Sequence, residues 1–184
     1  MNDVKALQNI TAITMDAKRR ILSDAILLFD EGKLIEVDKA HAVELPPNCE
    51  VIDGKGRVVL PGLIDTHAHA DQSLLRGLGD GLHWMPFLDE VIDPWLIQRE
   101  PSDAILANQL SMIEMLKNGT TCFVSPNVDP RDDFAALTKS VGDIGIRAVL
   151  GRFAMASENF SDMIAIMNKW HGSQSGLVAM WFGL

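Results

Sequence analysis

Residues 58–69 read VVLPGLIDTHAH, an apolar run that ends in two histidines separated by one residue. A run that stays apolar over residues 58–65 is typical of a strand buried on both faces of a parallel sheet. Residues i and i+2 of a strand point to the same face, so we expect His67 and His69 to direct both imidazoles at one point. Neutral imidazole is a good ligand for zinc or iron, and the pattern therefore predicts a metal site. We interpret Asp65, one step deeper, as a structural carboxylate.

The chain after this run alternates between predicted helices and predicted strands. The helices are predicted over residues 102–117 (with Ser102 as N-cap), 132–141 and 161–170, and the strands over 121–125, 146–150 and 177–184. These strands start 25 and 31 residues apart, which is the period of a strand–helix unit. Such units build either a doubly wound sheet or a (β/α)₈ barrel, and both carry their sites at the carboxyl ends of the strands.

The chain before this run consists of short β-like segments broken by turns. Strands are predicted over residues 7–15, 25–29, 34–37 and 50–52, a hairpin turn over 30–33 (DEGK) and a further turn over 53–56 (DGKG). We therefore predict an N-terminal β module over residues 1–57 and a region of strand–helix units over residues 58–184. A module of this size is too short for a stable sandwich of its own.

The composition limits the classes of partner. The chain has 47% hydrophobic and 22% charged residues, which is typical of a globular protein. Its net charge of −9 provides no basic surface for nucleic acid or an anionic membrane. Residues 1–5 show no charged segment leading into an apolar one, so no signal peptide is predicted. We expect a cytoplasmic protein with a small-molecule substrate and with neither a nucleic acid nor a membrane as partner.

The segment around the histidines resembles a known family. Residues 61–69 (PGLIDTHAH) closely resemble the amidohydrolase superfamily, in which PG(L/I)(I/V)(D/N)xHxH marks the first barrel strand and its metal ligands. The spacing H-x-H-x-x-Q-x-L-x-R over residues 67–76 is similar to one branch of that superfamily. This branch holds chlorohydrolases and nucleobase deaminases, of the cytosine deaminase, guanine deaminase and triazine hydrolase types.

The resemblance implies an α/β fold in which residues 58–184 form the first four strands of a truncated (β/α)₈ TIM-type barrel. Residues 1–57 would form part of a composite β-sandwich. His67 and His69 would bind one divalent metal ion, with zinc favoured over iron. The intact enzyme would hydrolyse a C–N or C–halogen bond of a small, heterocyclic substrate. The family's proton-transfer residues lie on later strands, so we predict no catalytic residue here and expect this portion alone to be inactive.

Three further residues, Gln72, Arg76 and Trp84, are predicted to contact the substrate. A loop hydrogen bond for Gln72 and a surface salt bridge for Arg76 are equally good alternatives, and Trp84 has the alternative of a loop anchor. Asp71, which lies between His69 and Gln72, is expected to be solvated on the loop.

Two alternatives to the mononuclear hydrolase stay open. The first is a binuclear cyclic-amide hydrolase of the dihydroorotase or hydantoinase type, whose two metals are bridged by a modified lysine on strand four. Residues 177–184 contain no lysine, which favours the mononuclear branch. The second is a truncated metal-binding protein without catalysis. The open strand edges of half a barrel would also allow a homo-oligomer.

Overall fold

The computed structural model of the chain describes residues 4–129, 131–153 and 160–183. It divides into two compact units, Met1–Pro61 and Gly62–Leu184. This division falls four residues after the boundary predicted between residues 57 and 58. The reason is that the last strand of the first unit continues to Val59.

A four-stranded mixed sheet forms the first unit, with the strand order β3-β2-β1-β4. Its strands are β1 (Lys5–Ile13), β2 (Ile21–Asp30), β3 (Lys33–Lys39) and β4 (Glu50–Val59). The β1–β2 and β2–β3 pairs are antiparallel, whereas β4 runs parallel to β1. Each of the predicted segments overlaps one of these strands, and β2, β3 and β4 are longer than predicted.

The predicted hairpin turn at residues 30–33 is confirmed. Asp30 pairs with Lys33 across the antiparallel β2–β3 ladder, so only Glu31 and Gly32 form the turn. Both residues have positive φ, at 46° and 74°. This is the pattern of a two-residue type I′ turn, whose twist matches that of the flanking strands.

The predicted turn at residues 53–56 is wrong, because β4 continues through it. Asp53 pairs with Gln8 and Arg57 pairs with Ile10. Between these pairs β4 has three residues where β1 has one, so β4 carries two extra residues there. Lys55 has a positive φ of 54° at this irregularity. Glycines within a strand pattern often mark a bulge rather than the end of the strand, and that is their role here.

The second unit is a parallel sheet with helices between its strands, ordered β5-β6-β7-β8. The strands are β5 (Leu63–Asp65), β6 (Thr120–Val128), β7 (Arg147–Phe153) and β8 (Val178–Gly183). The helices are α1 (Trp84–Phe87), α2 (Asp93–Gln98), α3 (Pro101–Lys117), α4 (Phe134–Ile144), α5 (Phe160–Trp170) and α6 (Ser173–Gly176), and a 3₁₀ helix spans Ala70–Leu75. The predicted alternation of strands and helices is confirmed. None of the described helices is long and apolar enough to cross a membrane.

The apolar run over residues 58–65 is not one strand, which corrects the prediction. Val58 and Val59 end β4 in the first sheet, whereas Leu63–Asp65 forms β5 at the edge of the second sheet. Leu63 and Ile64 are 56% and 64% exposed. The hydrophobic pattern alone does not reveal the break, because each half satisfies the same strand pattern in a different sheet.

Helices α3 and α4 begin at other residues than predicted. Helix α3 begins at Pro101, and Asp103 Oδ2 accepts a hydrogen bond from the Glu100 N–H at 3.0 Å, so Ser102 is not the N-cap. Proline suits the first helical position because the N–H it lacks has no partner within the helix there. Helix α4 begins at Phe134, later than predicted, with Asp133 as its N-cap. Leu184, the last residue of the strand predicted over 177–184, lies outside the described residues.

The core of the second unit packs α3 and α4 against the sheet. Its fully buried members include Met112, Phe123, Leu137, Val141, Ile146 and Leu150. Burying a side chain of this size contributes about 1.5–3 kcal/mol. Ala70, which directly follows His69, belongs to the same cluster. The chain next to the histidine pair is therefore fixed to the core.

Candidate metal centre

The two histidines meet at their ring nitrogens. The Nε2 atoms of His67 and His69 lie 3.2 Å apart, and the ring centroids are 5.1 Å apart with the planes inclined by 71°. At this separation the two nitrogens can share one proton or bind one cation. The rings thus converge, as the spacing of the residues predicts.

The separation of the nitrogens fits a zinc ion. Two nitrogen ligands at about 2.0–2.1 Å from a tetrahedral zinc lie about 3.3 Å from each other. Among residues 4–129, 131–153 and 160–183, however, no group of three or more His, Cys, Asp or Glu side chains is arranged to hold a metal ion. The two histidines alone would be one ligand short of the three of a typical catalytic zinc site.

The convergence does not arise from strand pleating, although the i, i+2 spacing predicts it on that ground. Strand β5 ends at Asp65, so both histidines lie in the chain beyond its carboxyl end. Asp65 Oδ1 accepts from the His67 N–H at 3.1 Å, and the Ala68 N–H donates to Val124 O of β6 at 2.8 Å. Beyond the pair, the Gln72 N–H donates to His69 O at 3.1 Å. These hydrogen bonds hold the segment in place, and Asp65 has the structural role expected of it.

The electrostatics around His69 favour its neutral imidazole. The pKa of His69 is lowered, mainly by partial burial of the ring and to a smaller extent by the charge of nearby His67. Burial disfavours the charged form of any side chain, and a second cationic ring close by adds to that effect. Neutral imidazole is the form that binds metal ions.

Asp71 is buried, which corrects the expectation of a solvated loop residue. Burial raises the pKa of Asp71 to about 6, opposed by the positive charge of Arg99 and assisted by the negative charge of Asp132. Both of these charged residues are distant in sequence. Local composition therefore gives no signal for the burial of Asp71.

A buried cluster of charges lies close to Asp71. The side chains of Arg99 and Asp132 are each 3% exposed, and Arg99 Nη1 donates to Asp132 Oδ1 at 2.6 Å. Arg99 Nη2 also lies 3.6 Å from Asp129 Oδ2. A hydrogen bond from Arg131 holds the pKa of Asp129 below its usual range. The cluster joins the segment before α3 to the loop after β6, and sequence analysis missed it because nothing in the spacing of these residues marks it.

The structure does not bring the three predicted substrate residues to one cavity with the histidines. Gln72 and Arg76 line a cavity of about 300 Å³ that has Phe87 on its wall and neither histidine among its lining residues. The guanidinium of Arg76 forms a two-pronged salt bridge with Glu114 of α3, which is the alternative role considered for it. Trp84 begins α1, is 69% exposed and does not line this cavity. The substrate contacts of these three residues stay predictions.

The fold and the site together define the class of protein. It is an α/β protein with paired imidazoles beyond the carboxyl end of a parallel strand, the edge at which such sheets carry their active sites. The chain belongs to the amidohydrolase family, whose model matches residues 58–179. The resemblance of the histidine motif to this family is thereby confirmed.

Curated relatives of the chain are named as deaminases. The 5-methylthioadenosine/S-adenosylhomocysteine deaminase of Bacillus thuringiensis (strain Al Hakam) is 35% identical over 144 residues, which cover 78% of this chain and 33% of that protein. The protein of the same name from Bacillus anthracis is likewise 35% identical over 144 residues, with the same coverage of each chain. The chain thus spans about a third of the length of these relatives.

Solved structures share the fold. A triazine hydrolase from Arthrobacter aurescens superposes with a TM-score of 0.82 at 22% identity, over 97% of this chain and 45% of that one. Guanine deaminase from C. acetobutylicum, with guanine bound in its active site, gives a TM-score of 0.78 at 22% identity, over 98% of this chain and 46% of that one. A mutant of atrazine chlorohydrolase from Arthrobacter aurescens, complexed with zinc and atraton, gives a TM-score of 0.78 at 22% identity, over 95% of this chain and 45% of that one. At this identity the similarity establishes the fold alone.

Proposed function

We propose that this chain forms part of a metal-dependent aminohydrolase that removes an amino group from a small, nitrogen-containing heterocycle. The observation that carries the proposal is the 3.2 Å separation of the two Nε2 atoms of His67 and His69. The proposal takes the second unit as the first four strands of a (β/α)₈ barrel and the first unit as part of a composite β-sandwich. The superpositions on triazine hydrolase and guanine deaminase support this interpretation.

A C–N bond is favoured over a C–halogen bond as the target. The curated relatives at 35% identity are named as deaminases of 5-methylthioadenosine and S-adenosylhomocysteine. The chlorohydrolase similarity rests on structures at 22% identity, which support the fold only. We therefore infer an aminated, purine-like substrate.

One divalent metal ion, with zinc favoured over iron, would be held by His67 and His69 together with ligands from outside the described residues. When bound, the metal supplies a water nucleophile at neutral pH by lowering the pKa of water from about 15.7 to about 7. The two imidazoles hold their ring nitrogens toward the cation, and the hydrogen bonds of Asp65 and Ala68 fix the chain that carries them. Strand β8 contains no lysine, which supports a mononuclear site over a binuclear one.

Other attributes stay predictions: a small-molecule substrate, no nucleic acid or membrane partner, self-association into a homo-oligomer, and a cytoplasmic location. The net charge of −9 supports the absence of a nucleic acid partner.

The metal site is tested by titrating the purified chain with zinc. We expect His67→Ala and His69→Ala to weaken zinc binding by more than about 100-fold, since loss of a ligand costs more than the 10–100-fold loss of an outer-shell partner. His83→Ala is the matched control, because His83 is exposed and precedes α1. Unchanged affinity in both His67→Ala and His69→Ala would contradict the proposed site.

The chemistry is tested in a chimera in which the 144 aligned residues of this chain replace the matching third of the Bacillus thuringiensis deaminase. We expect the chimera to release ammonia from 5-methylthioadenosine and to lose this activity in His67→Ala while retaining it in His83→Ala. A chimera that folds and binds zinc without releasing ammonia would count against the aminohydrolase proposal.

A further inference from the structure

Helix α3 contacts the segment that follows the histidine pair along one face. Ser73 Oγ donates to Ala107 O at 2.7 Å, and Ser111 Oγ donates to Ala70 O at 2.8 Å. Glu114 receives the two-pronged salt bridge from Arg76. The positions on α3 are 107, 111 and 114, and residues three and four apart lie on the same face of a helix. One face of α3 therefore binds the 3₁₀ helix Ala70–Leu75 at its start, its middle and just past its end.

Among these contacts, the one from Ser111 lies closest to a candidate ligand. Its acceptor, Ala70 O, belongs to the residue directly after His69, and both Ala70 and Ser111 are buried. A serine inside a helix commonly donates to the carbonyl four residues earlier in its own helix. Ser111 instead donates to a carbonyl outside α3, so its hydroxyl joins two elements.

The backbone on either side of His69 is thus held by two different elements. The Ala68 N–H donates to Val124 O of β6, and Ala70 O accepts from Ser111 of α3. The direction of an imidazole depends on the backbone that carries it, and metal ligands must be held within about 0.5 Å of their working geometry. The 3.2 Å separation of the two Nε2 atoms is observed with both anchors in place.

We propose that Ser111 is a positioning residue for the His67–His69 pair, acting through the hydrogen bond from its hydroxyl to Ala70 O. This inference rests on the proposed metal site and goes beyond it, because it assigns a role to a residue of α3 that contacts neither imidazole. Ser111 sets the path of the chain at His69, and the metal affinity of the pair depends on that path.

The competing interpretation is that Ser111 only stabilises the fold. Ser140 provides the matched control, since it is also buried and its hydroxyl also joins two elements: it donates to Ala136 O at 3.0 Å within α4 and accepts from Gln109 Nε2 of α3 at 2.8 Å. Ser111→Ala and Ser140→Ala each remove one buried hydroxyl from a helix of the second unit. Only the first removes a hydrogen bond to the segment that carries the histidines.

The experiment measures two quantities in wild type, Ser111→Ala and Ser140→Ala. The first is zinc affinity, by competition with a chelator, and the second is amide hydrogen exchange at Ala68 and Gln72, measured without metal. In Ser111→Ala we expect zinc affinity to fall about three- to tenfold, at or below the lower end of the range for outer-shell partners. We also expect exchange at the two amides to accelerate, and Ser140→Ala to change neither quantity.

Zinc affinity in Ser111→Ala that falls no further than in Ser140→Ala would overturn the inference, as would unchanged exchange at Ala68 and Gln72. If the wild-type chain binds no zinc, the proposed metal site fails and the exchange measurement alone decides the role of Ser111. If Ser111→Ala does not fold, Ser73→Ala is measured in its place, because it removes the neighbouring hydrogen bond to α3 from a half-buried position. Its expected effects have the same sign, and their absence would overturn the inference equally.

Discussion

At the scale of single residues, the second unit places charged groups in two different environments. Arg99 and Asp132 are almost completely buried and directly paired. Lys139 and Asp143 form an ion pair four residues apart on the surface of α4. Burying a charge is costly unless its partner is present, whereas water solvates each member of an exposed pair. The two pairs should therefore respond differently to loss of one charge.

We predict that Asp132→Asn lowers the free energy of unfolding by about 3 kcal/mol, because it leaves the buried Arg99 charge without its closest partner. Asp143→Asn, the control, should change it by less than about 0.5 kcal/mol. Urea denaturation followed by circular dichroism measures both. Equal, small effects of the two substitutions would show that the buried pair does not stabilise the fold.

Residue-scale features divide into those that the sequence reveals and those that it does not. The convergence of His67 and His69 is predicted by their i, i+2 spacing, although the hydrogen bonds that produce it beyond the end of β5 are not. The burial of Asp71 could not be predicted, since it depends on packing near Arg99 and Asp132. Ser111 carries no sequence signal either, as a serine on a helix is ordinarily a surface residue or bonds within its own helix.

At the scale of elements, periodicity predicts the strands and helices but not where they begin and end. The alternation after residue 62 follows from apolar spacing, which depends on the burial of one face of each element. The ends depend on local hydrogen bonds, such as that between Glu100 and Asp103 before α3. In β4, pairing with β1 overrides the turn signal of its glycines.

The bulge in β4 gives a prediction for Gly54. A Cβ at this position would lie 2.2 Å from Ile10 Cγ2 and 2.9 Å from Gln8 O. We expect Gly54→Ala to lower the free energy of unfolding by about 1–3 kcal/mol, as is typical of overpacking. Gly56→Asn is the control, because Gly56 has a φ of +72° with open space around it and asparagine tolerates this conformation. The measurement is thermal denaturation, and a result in which Gly56→Asn lowers the stability more than Gly54→Ala would contradict this account.

At the scale of the whole molecule, both edges of the parallel sheet expose large apolar side chains. Leu63 and Ile64 do so on β5, and Trp181 and Phe182 do so on β8. Open strand edges with exposed apolar groups favour pairing between chains. These exposed groups support the proposal that the chain self-associates.

We predict that the 184-residue chain, loaded with zinc, releases no ammonia from aminated heterocycles. The described residues hold no group of three metal-binding side chains, whereas a catalytic zinc typically has three protein ligands and a water. By the family resemblance, the proton-transfer residues belong to later strands, and their help is typically worth about 10²–10⁴-fold. The measurement is a coupled ammonia assay over a panel of aminopurines and aminopyrimidines. Release that vanishes in His67→Ala would show that the active site is complete within this chain.

The parallel pairing of β1 with β4 has a consequence for the kinetics of folding. The β2–β3 hairpin is closed by a turn of two residues. In contrast, Lys5 pairs with Glu50 and Ala12 pairs with Val59, so the paired residues of β1 and β4 are far apart in the sequence. Closing the longer loop costs about 2–3 kcal/mol more in chain entropy. We therefore predict that the hairpin forms first and that β4 joins the sheet late, after the rate-limiting step. Substitutions in β4 should then speed unfolding and leave the folding rate almost unchanged.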